Sequence, residues 1–487
     1  MRVCARIALG ATFLVHTRAA YAQAAPPSPH ADDSFDFMNL LSDHGLHDLE
    51  DERWNAYGQL TTISQWKTAF SAPYTNANGS TNSLVPSAEQ SFTGTFTLFL
   101  GLKLWKGAEV YVVPEIIGER PLSQLRGLGG AIQNFELQKT GSEVPQIYRS
   151  RTYLRQTFGL GGGTDSTESQ PSQLGGKVEK RRFVFTLGNY SILDVLDRSN
   201  VTWDPRRNFL NMAFMTYASW DFPSDARGYS WGGIEELYWD DWAFRLARIT
   251  PPVNPNQLQI DFRLWQFYGD ELEVEHDHTL LGQRGAVHLL AYRNHVDTGK
   301  FADAIAAFQH NPLENAANCN AAGYFNYGSG NVTAPDLCYV RKANVKLGVG
   351  LAAEQYVAKD IGVVARAMYS DGQTEVDAFN AADRSLSIAA NAKGTLWHRP
   401  FDGAGIGFGM SWISSIHAQY LAMGGVDGFI GDGHLRQAAE GVVEGYYSVN
   451  LLKAIWLTAD YQFLWNPGYN ADRGSTNIFG GRVHAEF

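Results

Sequence analysis

Long apolar runs are missing from this chain: no stretch of about 18 consecutive apolar residues occurs, and a membrane-spanning helix needs one. A helical membrane protein is thereby disfavoured. Cysteine is scarce too, with three residues at Cys4, Cys319 and Cys338. Neither Cys319 nor Cys338 sits in a CxxC motif or beside a basic cluster, which argues against thiolate chemistry. Basic charge is in deficit: 39 Lys and Arg face 50 Asp and Glu, for a net charge of −11. Such an acidic balance argues against nucleic acid as a partner. No Ser/His/Asp constellation or carboxylate pair stands out as catalytic machinery. The Gly-rich "GLGGG" at 159 lacks the Lys and the strand-to-helix setting of a phosphate loop, so it reads as a flexible loop.

What is present begins with an export pattern. Arg2 and Arg6 precede an apolar run from Ile7 to Val15, and small residues recur at Ala20 and Ala22. Residues 1–22 therefore read as a cleaved signal peptide. Its removal would take Arg2, Arg6 and Arg18 and no acid, making the exported chain more acidic still. In an oxidising compartment Cys319 and Cys338 are expected to form a disulfide that staples one loop. Residues 23–52, rich in Ala, Pro, Asp and His, show no sustained pattern and read as a mobile periplasmic segment. Length alone would suggest about three globular domains, but the patterning from residue 53 to 487 overrides that.

That patterning is alternation. In "SFTGTFTLFLGLKLW" at 91, Phe96, Leu98, Leu100, Leu102 and Leu104 share one face, and Thr93, Thr95, Thr97 and Lys103 share the other. Lys106-Gly107 then turns the chain into a second strand, the signature of a hairpin. The same pattern returns at 343–357, at 454–464 and at the last residues, where Phe479, Val483 and Phe487 alternate with Arg482, His484 and Glu486. Alternation alone also fits a soluble sandwich with its apolar face inward. Strands of about ten residues, aromatics near their ends, and tight turns alternating with long loops describe instead an all-β transmembrane antiparallel barrel. Its Phe and Leu faces would meet outer-membrane lipid.

The pattern yields about 16 strands, starting near residues 53, 91, 108, 180, 209, 227, 242, 260, 284, 343, 360, 384, 404, 441, 454 and 477. An even count puts both ends of the barrel chain on the periplasmic side, together with the tight turns at 106–107, 240–241, 358–360 and 452–453. The long segments 67–90, 297–342 and 417–440 then lie outside. One connection misfits, because residues 191–208 are long for a periplasmic turn. Either a strand nearby is misplaced or this segment folds into the lumen. The strand ending at Phe487 must pair with the first, because only ring closure removes sheet edges that lipid cannot satisfy. So wide a barrel is expected to hold an aqueous channel, narrowed by one or more loops folded into it.

Taken together, "RWNAYGQLTTISQW" at 53, "SFTGTFTLFLGLKLW" at 91, "GLGGAIQNFELQKTG" at 127, "NMAFMTYASWDFPSDARGY" at 211, "WAFRLARITPPVNPNQL" at 242, "GAVHLLAYRN" at 285 and "NPGYNADRGSTNIFGGRVHAEF" at 466 resemble the OprB-type carbohydrate-selective porins of bacterial outer membranes. The resemblance runs along nearly the whole mature sequence. It implies a barrel of about 16 strands, passive uptake of sugars such as glucose, insertion by the barrel-assembly machinery, and neither cofactor nor enzymatic activity. A homotrimer is one assembly open to such barrels. Where the family commonly has Pro in "NADRGP", this chain has Ser475, a change expected to alter a loop rather than the pore.

Strand parity gives the candidates for the solute path. Lys103, Glu109, Tyr111 and Glu115 point inward on the second and third strands, Arg245 and Arg366 on later ones, and Arg263 with Trp265 on the eighth. Arg151 and Arg155 lie in the long segment 118–179, which can tuck into the pore. Acids and bases are mixed, whereas a phosphate pore would carry a ladder of one sign. The competing reading is that these charges hydrate a wide channel or lock a loop by ion pairs. Glu275 to His278 read as a wet strand end rather than a metal site. Asp427 and Asp432 read as a Gly-supported loop, with calcium ligation as the alternative. Phe301–Phe308 fits an amphipathic helical turn packed on the barrel mouth. Alternatives to a sugar porin are a pore of low selectivity, a barrel-shaped hydrolase and a lectin-like sandwich.

Overall fold

The computed structural model describes residues 36–137, 142–317 and 332–487. Eighteen strands follow one another: β1 (Trp54–Lys67), β2 (Glu89–Trp105), β3 (Ala108–Arg120), β4 (Gln146–Gly159), β5 (Thr164–Thr167), β6 (Gly176–Glu179), β7 (Arg182–Tyr190), β8 (Ser230–Trp239), β9 (Trp242–Ile249), β10 (Tyr268–Leu280), β11 (Gln283–Thr298), β12 (Lys342–Ala358), β13 (Ile361–Ser370), β14 (Arg384–Lys393), β15 (Gly403–Trp412), β16 (Glu440–Asn450), β17 (Ile455–Trp465) and β18 (Thr476–Glu486). Among the described residues five helices punctuate them: α1 (Phe37–Asp43), α2 (Met212–Met215), α3 (Phe301–His310), α4 (Pro312–Ala317) and α5 (Ser415–Ala422). Sixteen strands close a barrel in which each pairs with its chain neighbours, and β18 returns to β1. β5 and β6 stand apart as a two-stranded hairpin between β4 and β7.

The side-chain period of two decides what the barrel shows its surroundings. On β12, Val345 is 38% exposed and Leu347 50%, while the intervening Lys346 is 3% exposed. The greasy face is outside and the polar face inside, the reverse of a soluble sandwich. A closed ring leaves no unpaired strand edge, which is what lipid demands of a spanning sheet. On β18, Phe479 and Val483 face out, and the register Thr61↔His484 and Gln59↔Glu486 joins the last strand to the first.

Turns at 106–107, 240–241, 281–282 and 359–360 lie at one end, together with Phe487; this is the closing end. The connections 68–88, 191–229, 250–267, 371–383, 413–439 and 466–475, and the described parts of 121–145 and 299–341, lie at the other. Two of the expected strands are corrected here. Residues 209–226 form no strand: they belong to a connection from 191 to 229 that carries α2. The missing strand is β4, whose alternation is blurred by a bulge where Val113/Pro114 face Arg151/Arg149. Restoring β4 moves 191–208 to the loop-bearing end and removes the misfit. The expected strand at 260 starts at Tyr268, so Arg263 and Trp265 sit in the 250–267 connection rather than on the wall.

Loops fill much of the ring. Leu125, Leu128 and Ile132 of the 121–145 connection pack against Phe209, Met212 and Phe214 of the 191–229 connection, and both pack on Val364, Val442 and Tyr446 of the wall. Gly407 on β15 makes room for this, since a Cβ there would lie 2.6 Å from the Phe214 ring. The second half of the segment expected to be mobile is ordered. Asp36 caps α1 by accepting from Asn39 N at 2.7 Å, and Met38 is buried among Tyr57, Phe99 and Val113. Residues 1–22 and Cys319 lie outside the described residues, and Cys338 is disulfide-bonded.

Candidate functional site in the barrel lumen

Inward-facing wall charges hold the inserted loops. Glu115 on β3 is fully buried and accepts from Thr97 Oγ1 at 2.5 Å, from the Tyr148 hydroxyl, and from Arg206 Nη2 at 3.1 Å. Arg206 also donates through Nε to Glu136 at 3.0 Å. One guanidinium of the 191–229 loop thus ties that loop to β3 and to the 121–145 loop. Arg366 on β13 donates to Asp197 at 2.9 Å, to Thr202 Oγ1 at 3.0 Å and to the Phe214 carbonyl at 3.1 Å. Glu444 accepts from the backbone N–H of Leu210 and Asn211, and Glu440 from those of Gly129, Ala131 and Gly468. A buried carboxylate is tolerated only when such donors surround it.

Arg245 on β9 bonds Glu273 and Glu275 at 2.5 Å each. His288 joins this cluster, and the three acid and imidazole groups place ligand atoms within 4.8 Å of one another. A guanidinium already bridges the two carboxylates, so the geometry is that of an ion-pair cluster rather than a metal cradle. Asp427 and Asp432 are likewise engaged by protein groups. Asp427 accepts from Val376 N at 3.0 Å and faces His417, while Asp432 accepts from Arg473 at 3.1 Å and from Asn470. Those donors take the oxygens that calcium would need.

Between the loops and the wall lies a cavity of ≈ 690 Å³. It extends from closing-end residues Lys393, Pro400 and Asp402 to Phe222, Arg227 and Phe379. Cations, acids and rings alternate along it, as in Arg151, Arg207, Asp194, Glu486, Tyr229 and Trp456. Arg151 makes a bidentate pair with Asp194 at 2.6 and 2.7 Å, and Arg207 bonds Glu486 at 2.5 Å while lying 4.0 Å over the Trp456 ring. A smaller cavity of ≈ 170 Å³ adjoins it, roofed by Asp165 and Thr167 of the β5–β6 hairpin and walled by Glu236 and Tyr238. Arg155, Asp194, Arg198 and Trp203 line both.

The expected path residues divide. Glu109, Tyr111 and Arg155 come together: the Tyr111 hydroxyl donates to Glu109 at 2.8 Å, and Arg155 lies 3.8 Å from Glu109 and 5.3 Å over the Tyr111 ring. Arg151 and Arg155 stand on β4 of the wall, not on a tucked-in loop. Glu115 and Arg366 fasten loops. Lys103 sits near the closing end, 3.0 Å from Asp51. Arg263 bonds Asp261 and Trp265 is 81% exposed, both away from the lumen in the 250–267 loop. Sequence reasoning missed Arg198, Trp203, Arg206 and Arg207. Their signal was the stretch "DRSNVTWDPRRN" at 197, dense in Arg and without alternation.

A family model described as carbohydrate-selective porin, OprB family, matches residues 82–487. The high-pH structure of Pseudomonas putida OprB superposes with a TM-score of 0.64 at 12% identity, covering 92% of this chain and 96% of that chain. The low-pH structure of the same protein gives 0.47 at 10% identity, covering 93% and 100%. The outer membrane channel DcaP of Acinetobacter baumannii gives 0.44 at 9% identity, covering 89% and 97%. A search of the curated proteins found no match. At such identities the solved structures speak for the fold alone, while the family model spans most of the chain. The chain belongs to the OprB family of carbohydrate-selective porins.

Proposed function

We propose that this protein is an outer-membrane porin through which small sugars, glucose among them, diffuse passively into the periplasm. The carrying observation is the ≈ 690 Å³ cavity, enclosed by a lipid-facing barrel and lined by ion-paired Arg and carboxylate groups interleaved with aromatic rings. Hydroxyl-rich neutral solutes need both donors and acceptors, and flat rings for their C–H faces, held weakly enough for release. Pairing of the cations with acids keeps the lining from presenting one sign of charge. In this reading the closing end faces the periplasm, the chain reaches the membrane with the help of the barrel-assembly machinery, and transport involves no bond-making step.

Purified protein in liposomes tests the reading. Glucose should enter well above the rate of protein-free vesicles, and faster than gluconate, an anion of similar size. Glucose entry no faster than in empty vesicles would overturn the channel assignment, and equal rates for the two solutes would overturn the preference for neutral sugars.

A further inference from the structure

Arg198 lies where the two lumen cavities meet, and its surroundings set it apart from the other arginines there. Arg151, Arg206, Arg207 and Arg245 are each bonded to a carboxylate, and Arg155 donates to the Ser172 carbonyl. Arg198 has a ring instead: its guanidinium carbon lies 4.6 Å over Trp203. Among the described residues, no carboxylate lies within ion-pair distance of it and no acceptor within hydrogen-bond distance. The guanidinium's five N–H donors are thereby left without a protein acceptor, on a residue that lines both cavities.

The position is rigid from both sides. Asp197, in the left-handed region at φ 52°, is fixed by its own N–H to Glu273 at 2.7 Å and by Arg366 and Thr216 on its carboxylate. Ser199 Oγ and Asn200 N both donate to Glu354, at 2.6 and 2.8 Å. The indole is fixed as well, since Trp203 Nε1 donates to the Leu193 carbonyl at 3.2 Å. A guanidinium held over a ring face can keep its donors free, and that planar fork matches a pair of neighbouring oxygens. Little side-chain freedom remains to be lost when a solute arrives, which favours contact without demanding tight binding.

We infer that Arg198, held on Trp203, is a specificity-determining residue of this channel, donating in parallel to two adjacent hydroxyl oxygens of a sugar as it passes between the two cavities. This rests on the sugar-porin reading above. Neutral hydroxyls, rather than an anion, are the expected acceptors, because Glu109, Asp165, Asp194 and Glu236 balance the arginines of the smaller cavity and leave its lining without net positive charge.

The test is block of single-channel ion current in planar bilayers, with glucose as the probe and gluconate as a second arm. Block of the wild type by glucose establishes the parent reading independently of any variant. Arg198→Ala should raise the half-blocking glucose concentration about tenfold, the size expected for losing a hydrogen bond from a charged donor. Arg198→Lys, which keeps the charge but not the fork, should behave like Arg198→Ala. Both variants should still run as heat-modifiable folded barrels on gels. Wild-type block in Arg198→Ala, full rescue by Lys, or stronger block of the wild type by gluconate than by glucose would each overturn the inference.

Discussion

His417 Nδ1 lies 3.0 Å from Asp383 Oδ2, and the opposite ring nitrogen, Nε2, lies 3.2 Å from Asp427 Oδ2. Nδ1 is hydrogen-bonded to its carboxylate and Nε2 lies within ion-pair distance of the other, an arrangement that favours the imidazolium form. The ring is buried and stacked on Phe301 of α3 at 4.2 Å. One cation therefore joins the 299–341, 371–383 and 413–439 loops at the barrel mouth.

This clamp should make the mouth sensitive to alkali. Burial alone would lower the His417 pKa, but Asp383 and Asp427 outweigh it and hold the value at about 9. A pKa raised above its ordinary value of 6.5 contributes stability that is complete below that value and fades as pH climbs through the folded value. Asp383 is held below the ordinary carboxylate range, chiefly by His417 against the opposing effect of burial, so acid weakens the clamp only below that range. Limited proteolysis of the 413–439 loop should be faster at pH 10 than at pH 6, and His417→Gln should be equally sensitive at both. Equal cleavage of the wild type at the two pH values would refute the clamp.

Arg366 should matter for the width of the pore rather than for solute contact. Through Nε and Nη1 it is held by Asp197, Thr202 and Phe214 of the inserted loop. Removing one partner of a buried ion pair costs about 3–5 kcal/mol. Arg366→Ala should therefore raise open-channel conductance and current noise as the loop loosens, with the barrel still formed. Unchanged conductance and noise would show that the loop is held without it.

The barrel was legible in the sequence because lipid imposes one rule on every strand. A polar residue cannot face hydrocarbon, so Leu347, Val349 and Leu351 had to alternate with Lys346, Gly348 and Gly350. β4 escaped because its pattern is broken by a bulge and its inward side carries Tyr148, Ser150, Arg151 and Tyr153 rather than a simple alternation. The false strand at 209 arose from the opposite cause. Phe209, Met212 and Phe214 are apolar because they build a core within the lumen, and period alone does not separate an inner core from a lipid face. Arg263 and Trp265 followed from a strand start placed too early. Arg198 and Trp203 were invisible for a different reason: their roles depend on where an inserted loop comes to rest, and no local period encodes that.

Packing inside the ring gives a prediction that separates loop placement from wall stability. A Cβ at Gly407 would lie 2.6 Å from the Phe214 ring, on an inward face that also carries Gly405 and Gly409. Overpacking a filled core costs about 1–3 kcal/mol. Gly407→Leu should displace α2 and its loop, lowering the thermal midpoint and altering conductance while the sixteen-strand ring persists. Wild-type conductance and melting together would mean that Phe214 does not rest on β15.

Ring closure itself can be tested at its narrowest point of contact. Gly58 and Phe487 exchange two backbone hydrogen bonds, at 2.6 and 2.9 Å, and the Phe487 ring faces that of Phe96 at 6.0 Å with the planes 26° apart. A side chain at Gly58 would occupy the space of the Phe487 ring. Phe487→Ala removes the ring but keeps the backbone ladder, whereas Gly58→Leu evicts the ring and disturbs the ladder. An unsealed pair of strands exposes amide groups that lipid cannot satisfy, so the cost should fall on assembly rather than on conduction. Both variants should lower the yield of heat-modifiable barrel, Gly58→Leu the more severely, while each channel that does insert conducts like the wild type. Normal yield from Gly58→Leu would show that β1 and β18 close the ring without this contact.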